Sequence, residues 1–212
     1  MMVSDVMTRN PLYVHPDLPL PDARNMMKKE KVKRLLVLDG HNKMVGIITE
    51  RDIVNAAPSS ATTLSVYEVT QLLDRITVGE VMTKEVITVG EDEVVEEAAR
   101  VMVDNDISAL PVMRGAVPVG IVSDGDIFRF FITIFGARQP GVRLSMLVPE
   151  RKGELHALAE AITEKGGNVT ALVVCEGCDV TNKSCMIKVT DIDKDALLEV
   201  VKPLAIEIVD IR

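Results

Sequence analysis

Gly46-Ile47-Ile48-Thr49-Glu50-Arg51-Asp52-Ile53 and Gly120-Ile121-Val122-Ser123-Asp124-Gly125-Asp126-Ile127 are two versions of one phrase, and their agreement organises the first two thirds of the chain. Working outward, a shift of 75 residues carries Val6-Met7-Thr8 onto Val81-Met82-Thr83 and Leu12-Tyr13-Val14 onto Ile87-Thr88-Val89. It also carries Ala23 onto Ala98, Met27 onto Met102, Val32 onto Ile107 and Leu35-Leu36-Val37 onto Leu110-Pro111-Val112. Self-similarity in one register over so many positions marks a duplicated structural unit.

Each copy predicts the order β-α-β-β-α. A short extended run (Leu12–Val14, Ile87–Val89) precedes a helix with apolar residues at helical spacing: Ala23, Met26 and Met27, or Val95, Ala98, Ala99 and Met102. Two strands follow, Arg34–Leu38 and Met44–Ile48, across the turn Asp39-Gly40-His41-Asn42; their counterparts are Ala109–Met113 and Val117–Val122 around Arg114-Gly115. A helix then opens at Thr49 or Ser123. Between the copies, Ser65-x-x-Glu68 has the form of a capping box and predicts a connector helix through Asp74. The expected divisions are 1–57, the connector 58–79, 80–136 and a third unit at 142–212.

Thr49-x-x-Asp52 and Ser123-x-x-Asp126 admit two readings. One is helix capping, in which hydroxyl and carboxylate satisfy the free N–H groups of the first turn. The other is ligand binding: a helix N-terminus favours phosphate, a hydroxyl bonds it, and a carboxylate accepts from both hydroxyls of a ribose. The two can coexist, and periodicity does not choose between them.

The paired Met-Thr starts and paired Gly-φ-φ-[Thr/Ser]-x-x-Asp phrases resemble tandem cystathionine-β-synthase-type (CBS) domains, over roughly residues 5–135. The resemblance implies a disc with two clefts for an adenine nucleotide as regulatory ligand, with no required cofactor. It implies that Thr49 and Ser123 contact phosphate or ribose, that Asp52 and Asp126 hold the ribose, and that Ile48 and Val122 wall the adenine. Basic residues at the position of Arg34 reach phosphate in that family. The copies are not equivalent: the first has Lys33-Arg34 and Arg51 where the second has Ser108-Ala109 and Gly125. Guanidinium–phosphate bonds are charge-assisted, so the cleft nearest Asp52 is expected to bind better, with solvated surface as the other reading of these cations.

All four Phe fall at 128, 130, 131 and 135, on a helix that is apolar nearly all round. This implies burial on more than one side, either between the repeats and the third unit or at a subunit interface. Paired CBS proteins dimerise through such helices, so the resemblance implies a homodimer. After Gly136–Gly141, the remaining chain predicts the order β-α-β-β-α-β of a ferredoxin-like fold. Its strands are Arg143–Val148, Val169–Cys175, Ser184–Thr190 and a last one through Ile206, Ile208 and Asp210. Its helices are Gly153–Lys165, with Leu155, Leu158, Ala159 and Ile162 on one face, and Lys194–Lys202. The stretches Val148–Leu155 and Gly166-Gly167-Asn168-Val169 resemble an ACT domain, implying dimerisation or an amino acid or other small ligand near Gly153 and Asn168; Glu150 departs from the acidic residue familiar in that loop. With the connector phrase Ser65-Val66-Tyr67-Glu68, the order of units resembles acetoin-utilisation B-type bacterial regulatory proteins.

Composition excludes several classes. A net charge of −8 without a basic face argues against nucleic acid as partner. No apolar run reaches membrane-spanning length, and no N-terminal run reads as a signal peptide, so a cytoplasmic regulator without a membrane partner is expected. His15, His41 and His156 lie on unrelated segments with no nucleophile–base pairing or P-loop, which argues against an enzyme. Cys175-x-x-Cys178 and Cys185 could share a metal or redox role or be buried structural thiols; a tetrahedral site would need a further ligand such as His156, and no metal is expected. A protein-interaction scaffold with empty clefts is the alternative function.

Overall fold

The computed structural model describes residues 1–56, 73 and 75–212; the expected connector helix lies outside these, apart from Leu73. Packing divides the chain into two compact units, Met1–Ile127 and Phe128–Arg212.

In the first unit, α1 (Val3–Val6), β1 (Thr8–Arg9) and β2 (Tyr13–Val14) lead into α2 (Leu20–Glu30), β3 (Arg34–Leu38), β4 (Met44–Thr49) and α3 (Glu50–Ala56). The second copy repeats this as α4 (Val78–Val81), β5 (Val89–Gly90), α5 (Val95–Asp104), β6 (Ala109–Arg114), β7 (Val117–Ser123) and α6 (Asp124–Ile134). The β-α-β-β-α order is thus the observed one in both copies. In α2 the buried stripe is Leu20, Ala23 and Met27, and in α5 it is Val95, Ala98 and Met102. Met26, expected on the inner face, is turned out at 36% exposure, since the i, i+3, i+7 stripe already fills the contact with the sheet. Each sheet closes over its own core: Val14, Leu35, Val37, Ile48 and Ile53 in one, Val89, Leu110, Val112 and Val122 in the other.

The copies are interleaved. β1 pairs antiparallel with β7, placing Thr8 opposite Ile121 and Arg9 opposite Gly120. In the mirror exchange, Ile47 on β4 and Thr83 trade backbone bonds of 3.0 and 2.9 Å. The Met-Thr opening of each copy therefore completes the sheet of the other. This explains why Gly46 and Gly120 sit where they do: a Cβ on Gly46 would lie 2.5 Å from Met82 Sδ and 2.9 Å from the Thr83 carbonyl oxygen. On Gly120 it would meet Met7 Sδ and, at 3.0 Å, the Thr8 carbonyl oxygen.

The second unit has β8 (Val142–Pro149), α7 (Glu154–Glu164), β9 (Asn168–Glu176), β10 (Asn182–Thr190), α8 (Lys194–Val201) and β11 (Glu207–Ile211). Its antiparallel sheet has the strand order β11-β8-β10-β9, so the expected β-α-β-β-α-β order is present. Leu144, Met146, Val148, Ile187 and Val189 point to one face and pack against Leu158, Ile162, Leu197 and Val201 of the helices. Asp193 caps α8 by accepting from the Asp195 and Ala196 amides at 3.0 and 2.9 Å. The buried stripe of α7 is Glu154, Leu158 and Ile162, not the face carrying Leu155 and Ala159, both of which are exposed. The helix starts with a carboxylate turned inward, which a hydropathy pattern does not anticipate. On the sheet's other face, buried Lys188 donates through Nζ to the Gly136 carbonyl at 2.7 Å, just past the end of α6.

The Phe-rich helix α6 crosses the division between units. On this helix Phe128 and Phe131 are 67% and 52% exposed. Among the described residues no helix is long and apolar enough to cross a membrane.

Candidate functional site

β4 ends and α3 begins at the same place in the chain, and this junction builds the site. Alternation along β4 sends Gly46 and Ile48 into the core and Ile47 and Thr49 to the opposite face. Thr49 then joins Asp52 across the first turn: the Thr49 amide and Oγ1 donate to Asp52 Oδ2 at 2.8 and 2.7 Å, and the Asp52 amide donates back to Thr49 Oγ1 at 3.3 Å. The second copy repeats it, with the Ser123 amide and Oγ donating to Asp126 Oδ2 at 2.8 and 2.6 Å. The capping reading is therefore realised at both motifs. It engages one carboxylate oxygen in these bonds, and a carboxylate has acceptor capacity for more.

In front of the first motif lies a cleft of about 410 Å³, within the size range of small-ligand sites. Thr49, Asp52, Arg34 and Arg51 are on its walls, together with Lys33 and Ile47. Ile48 and Val122 are fully buried in the repeat cores, and on the walls of this cleft Ile47 stands in place of Ile48. Ile47 lies two positions from Thr49 along the strand and so shares its face. The opposite wall comes from the other copy, through Thr83, Ile87, Ile107 and Ser108. Those residues were missed because nothing local in sequence says that the copies interleave.

Arg34 is half-buried and reaches out of its own copy. Its guanidinium donates to the Ser108 carbonyl at 3.0 Å and to Ser108 Oγ at 3.3 Å. The same carbonyl accepts from the Asp124 amide at 3.1 Å. Burial lowers the Arg34 pKa from its ordinary value, while the carboxylates of Asp124 and Asp126 oppose that shift. The cation assigned by resemblance to the Asp52 cleft thus also borders the second motif.

In the second unit a smaller cavity of about 390 Å³ opens over the loop from β8 to α7, with Gly153, Glu154, Leu155, Val174 and Lys183 on its walls. Gly153 has φ +87, a left-handed conformation that glycine adopts without strain. Asn168 starts β9 and is exposed, but is not on these walls. Sequence reasoning missed Glu154, which is 4% exposed with Oε1 unpartnered among the described residues, while Oε2 accepts from Arg151 Nε.

Cys175 and Cys178 are exposed and Cys185 is buried; His156 stands on the outer side of α7, 3.8 Å from Glu160. Among the described residues no cluster of three or more His, Cys, Asp or Glu is arranged to hold a metal ion. Burial pushes the Cys185 thiol up to about 11. Because the thiolate is the nucleophile, iodoacetamide at about pH 8 should alkylate Cys175 and Cys178 in the native protein and reach Cys185 only on unfolding. Peptide mapping that finds Cys185 modified as fast as the other two would contradict this.

The CBS domain model matches residues 3–59 and 78–133, a little over half of the chain. The L-aspartate semialdehyde sulfurtransferase of Methanocaldococcus jannaschii is 33% identical over 131 residues, 61% of this chain but 23% of that protein. A 17.7 kDa protein of Acidianus ambivalens is 33% identical over 133 residues, 62% of this chain and 74% of the relative. The chain thus spans about a quarter of the enzyme and three quarters of the smaller protein. Among solved structures, the CBS domain pair of protein MJ0100 in complex with 5′-methylthioadenosine and S-adenosyl-L-methionine is 32% identical with a TM-score of 0.53, covering 66% of this chain and 98% of that one. A putative acetoin utilization protein of Vibrio cholerae is 27% identical with a TM-score of 0.54, covering 66% and 96%. CBSX2 in complex with AMP is 27% identical with a TM-score of 0.51, covering 63% and 97%. With two matched copies, two Thr/Ser–Asp junctions of the same geometry and these neighbours, the chain belongs to the CBS-domain family.

Proposed function

We propose that the chain is a regulatory protein whose CBS pair senses an adenosine-bearing ligand of the AMP, ADP or ATP kind. The observation that carries this is the Thr49–Asp52 junction on the wall of a cleft that also has Lys33, Arg34 and Arg51, the acidic Glu50, Glu85 and Asp106, and Ile47, Ile87 and Ile107 as apolar surface. Apolar walls suit a purine, the carboxylate suits the two ribose hydroxyls, and the cations suit phosphate. The neighbours solved with AMP, 5′-methylthioadenosine and S-adenosyl-L-methionine support the same ligand class.

The second unit is read as an ACT-type module that takes a second small ligand or forms a dimer. Glu154 favours the ligand: a buried carboxylate oxygen without a partner among the described residues, at the start of α7 and on the walls of the same cavity as Lys183, suits a molecule bearing both an ammonium and a carboxylate. The exposed Phe128 and Phe131 support a homodimer, and the likeness to the Vibrio protein supports a place among acetoin-utilisation regulators.

Calorimetric titration of the full chain with AMP, ADP, ATP, NAD, 5′-methylthioadenosine and S-adenosyl-L-methionine, and separately with amino acids, tests both parts. Saturable binding without ligand consumption is expected. Silence across the nucleoside panel would favour a scaffold with empty clefts; turnover would indicate an enzyme.

A further inference from the structure

Another cavity, of about 650 Å³, opens in the first unit where β3 runs out into the Asp39–Asn42 turn. None of Thr49, Asp52, Ser123 and Asp126 is on its walls, so neither Thr/Ser–Asp junction takes part in it. Both copies build it: Tyr13, Leu36 and Leu38 come from β2 and β3, and Val117 and Val119 from β7. Tyr13 and Val117, one from each copy, are 52% and 60% exposed. An occupant would take apolar surface of both copies out of water, and the volume lies within the range of small-ligand sites.

In a chain of net charge −8, these walls carry the guanidiniums of Arg9 and Arg114 and no carboxylate. Glu91 lies off the walls and accepts from Arg114 Nε and, at 2.7 Å, from its Nη2. Arg9 donates through Nη2 to the Ser4 carbonyl at 2.9 Å. Each guanidinium has five N–H donors, so these bonds leave capacity on both. Two cations against one carboxylate leave one positive charge in excess. The repeat does not account for this grouping: a shift of 75 residues puts Lys84 at the place of Arg9, Thr88 at that of Tyr13 and Asp39 at that of Arg114.

We propose that this cavity is a second binding site, for a small organic anion whose carboxylate or phosphate meets Arg9 and Arg114 and whose flat apolar body lies against Tyr13 and Val117. Guanidinium forks match carboxylate and phosphate alike. An inorganic anion leaves the apolar walls wet, and a neutral molecule leaves the two forks without their match. The site does not depend on what the Thr49–Asp52 cleft takes.

Calorimetry on the full chain with phenyl phosphate, benzoate, benzyl alcohol and inorganic phosphate tests this. Phenyl phosphate or benzoate should bind saturably, and the one that binds tighter identifies the anionic group. Benzyl alcohol and inorganic phosphate should each bind at least about tenfold more weakly, for want of the charge and of the apolar body respectively. Arg9→Met and Arg114→Met should each weaken the organic anion about 10- to 150-fold, the range for hydrogen bonds to a charged group. Arg114→Met also releases Glu91, so Val117→Asp serves as the independent variant: it sets a carboxylate on an exposed part of the wall and should abolish anion binding with the thermal transition retained. Saturation with 5′-methylthioadenosine should leave the anion bound. The proposal is overturned if neither organic anion binds with a Kd below about 1 mM, or if benzyl alcohol binds as well as they do. Undiminished binding in Val117→Asp, or displacement of the anion by 5′-methylthioadenosine, overturns it equally.

Discussion

Urea unfolding of Gly46→Val should begin at a far lower denaturant concentration than that of the wild type, with a loss of about 3 kcal/mol or more. The reason is the crossing of the two copies. An added Cβ at position 46 meets the Thr83 carbonyl oxygen at 2.9 Å, and that oxygen is already held at 3.0 Å by the Ile47 amide. Met82 Sδ, at 2.5 Å, is the end of a flexible side chain and can swing aside. The carbonyl cannot move without breaking the exchange between Ile47 and Thr83. Gly46→Ala should therefore cost less, about 1 to 3 kcal/mol, and valine adds two methyls to the same collision. Gly120→Val should behave alike through Met7 and Thr8. Gly40 is the control: a Cβ there meets nothing within 4 Å, so Gly40→Ala should stay within about 0.5 kcal/mol of the wild type. A Gly46→Val midpoint as close to the wild type as that of Gly40→Ala would contradict the interleaved packing.

Asp52→Ala should reduce nucleotide affinity roughly 10- to 150-fold, the equivalent of losing hydrogen bonds to a charged acceptor worth about 1.5 to 3 kcal/mol. Part of the loss is local, since Asp52 also accepts from the Thr49 amide and Oγ1 and its removal leaves the start of α3 uncapped. Asp52→Asn separates the two effects: it keeps the shape but not the charge, and should lose ribose affinity with less loss of stability. Asp126→Ala is expected to cost less affinity for the tighter step, because Lys33 and Arg51 stand on the Asp52 side alone. Calorimetry in which Asp126→Ala loses more affinity than Asp52→Ala would reverse the assignment of the stronger cleft.

The sequence by itself determined the duplication, the β-α-β-β-α order within each copy and the capped Thr/Ser–Asp junctions. These are short-range matters, set by periodicity, turn residues and hydroxyl–carboxylate spacing along one stretch of chain. It also carried the β-α-β-β-α-β order of the second unit. The strand period was equally legible: Ile48 and Val122 alternate into the cores, and Ile47 alternates onto the cleft. Only the tertiary structure decided what faces each motif. Thr83 crosses onto β4, Thr8 crosses onto β7, and Ser108 receives Arg34 across 74 residues of chain. Glu154 was invisible for the same reason, because its burial depends on how α7 meets the sheet and not on its neighbours in sequence. Local spacing selects elements, but long-range closure selects partners.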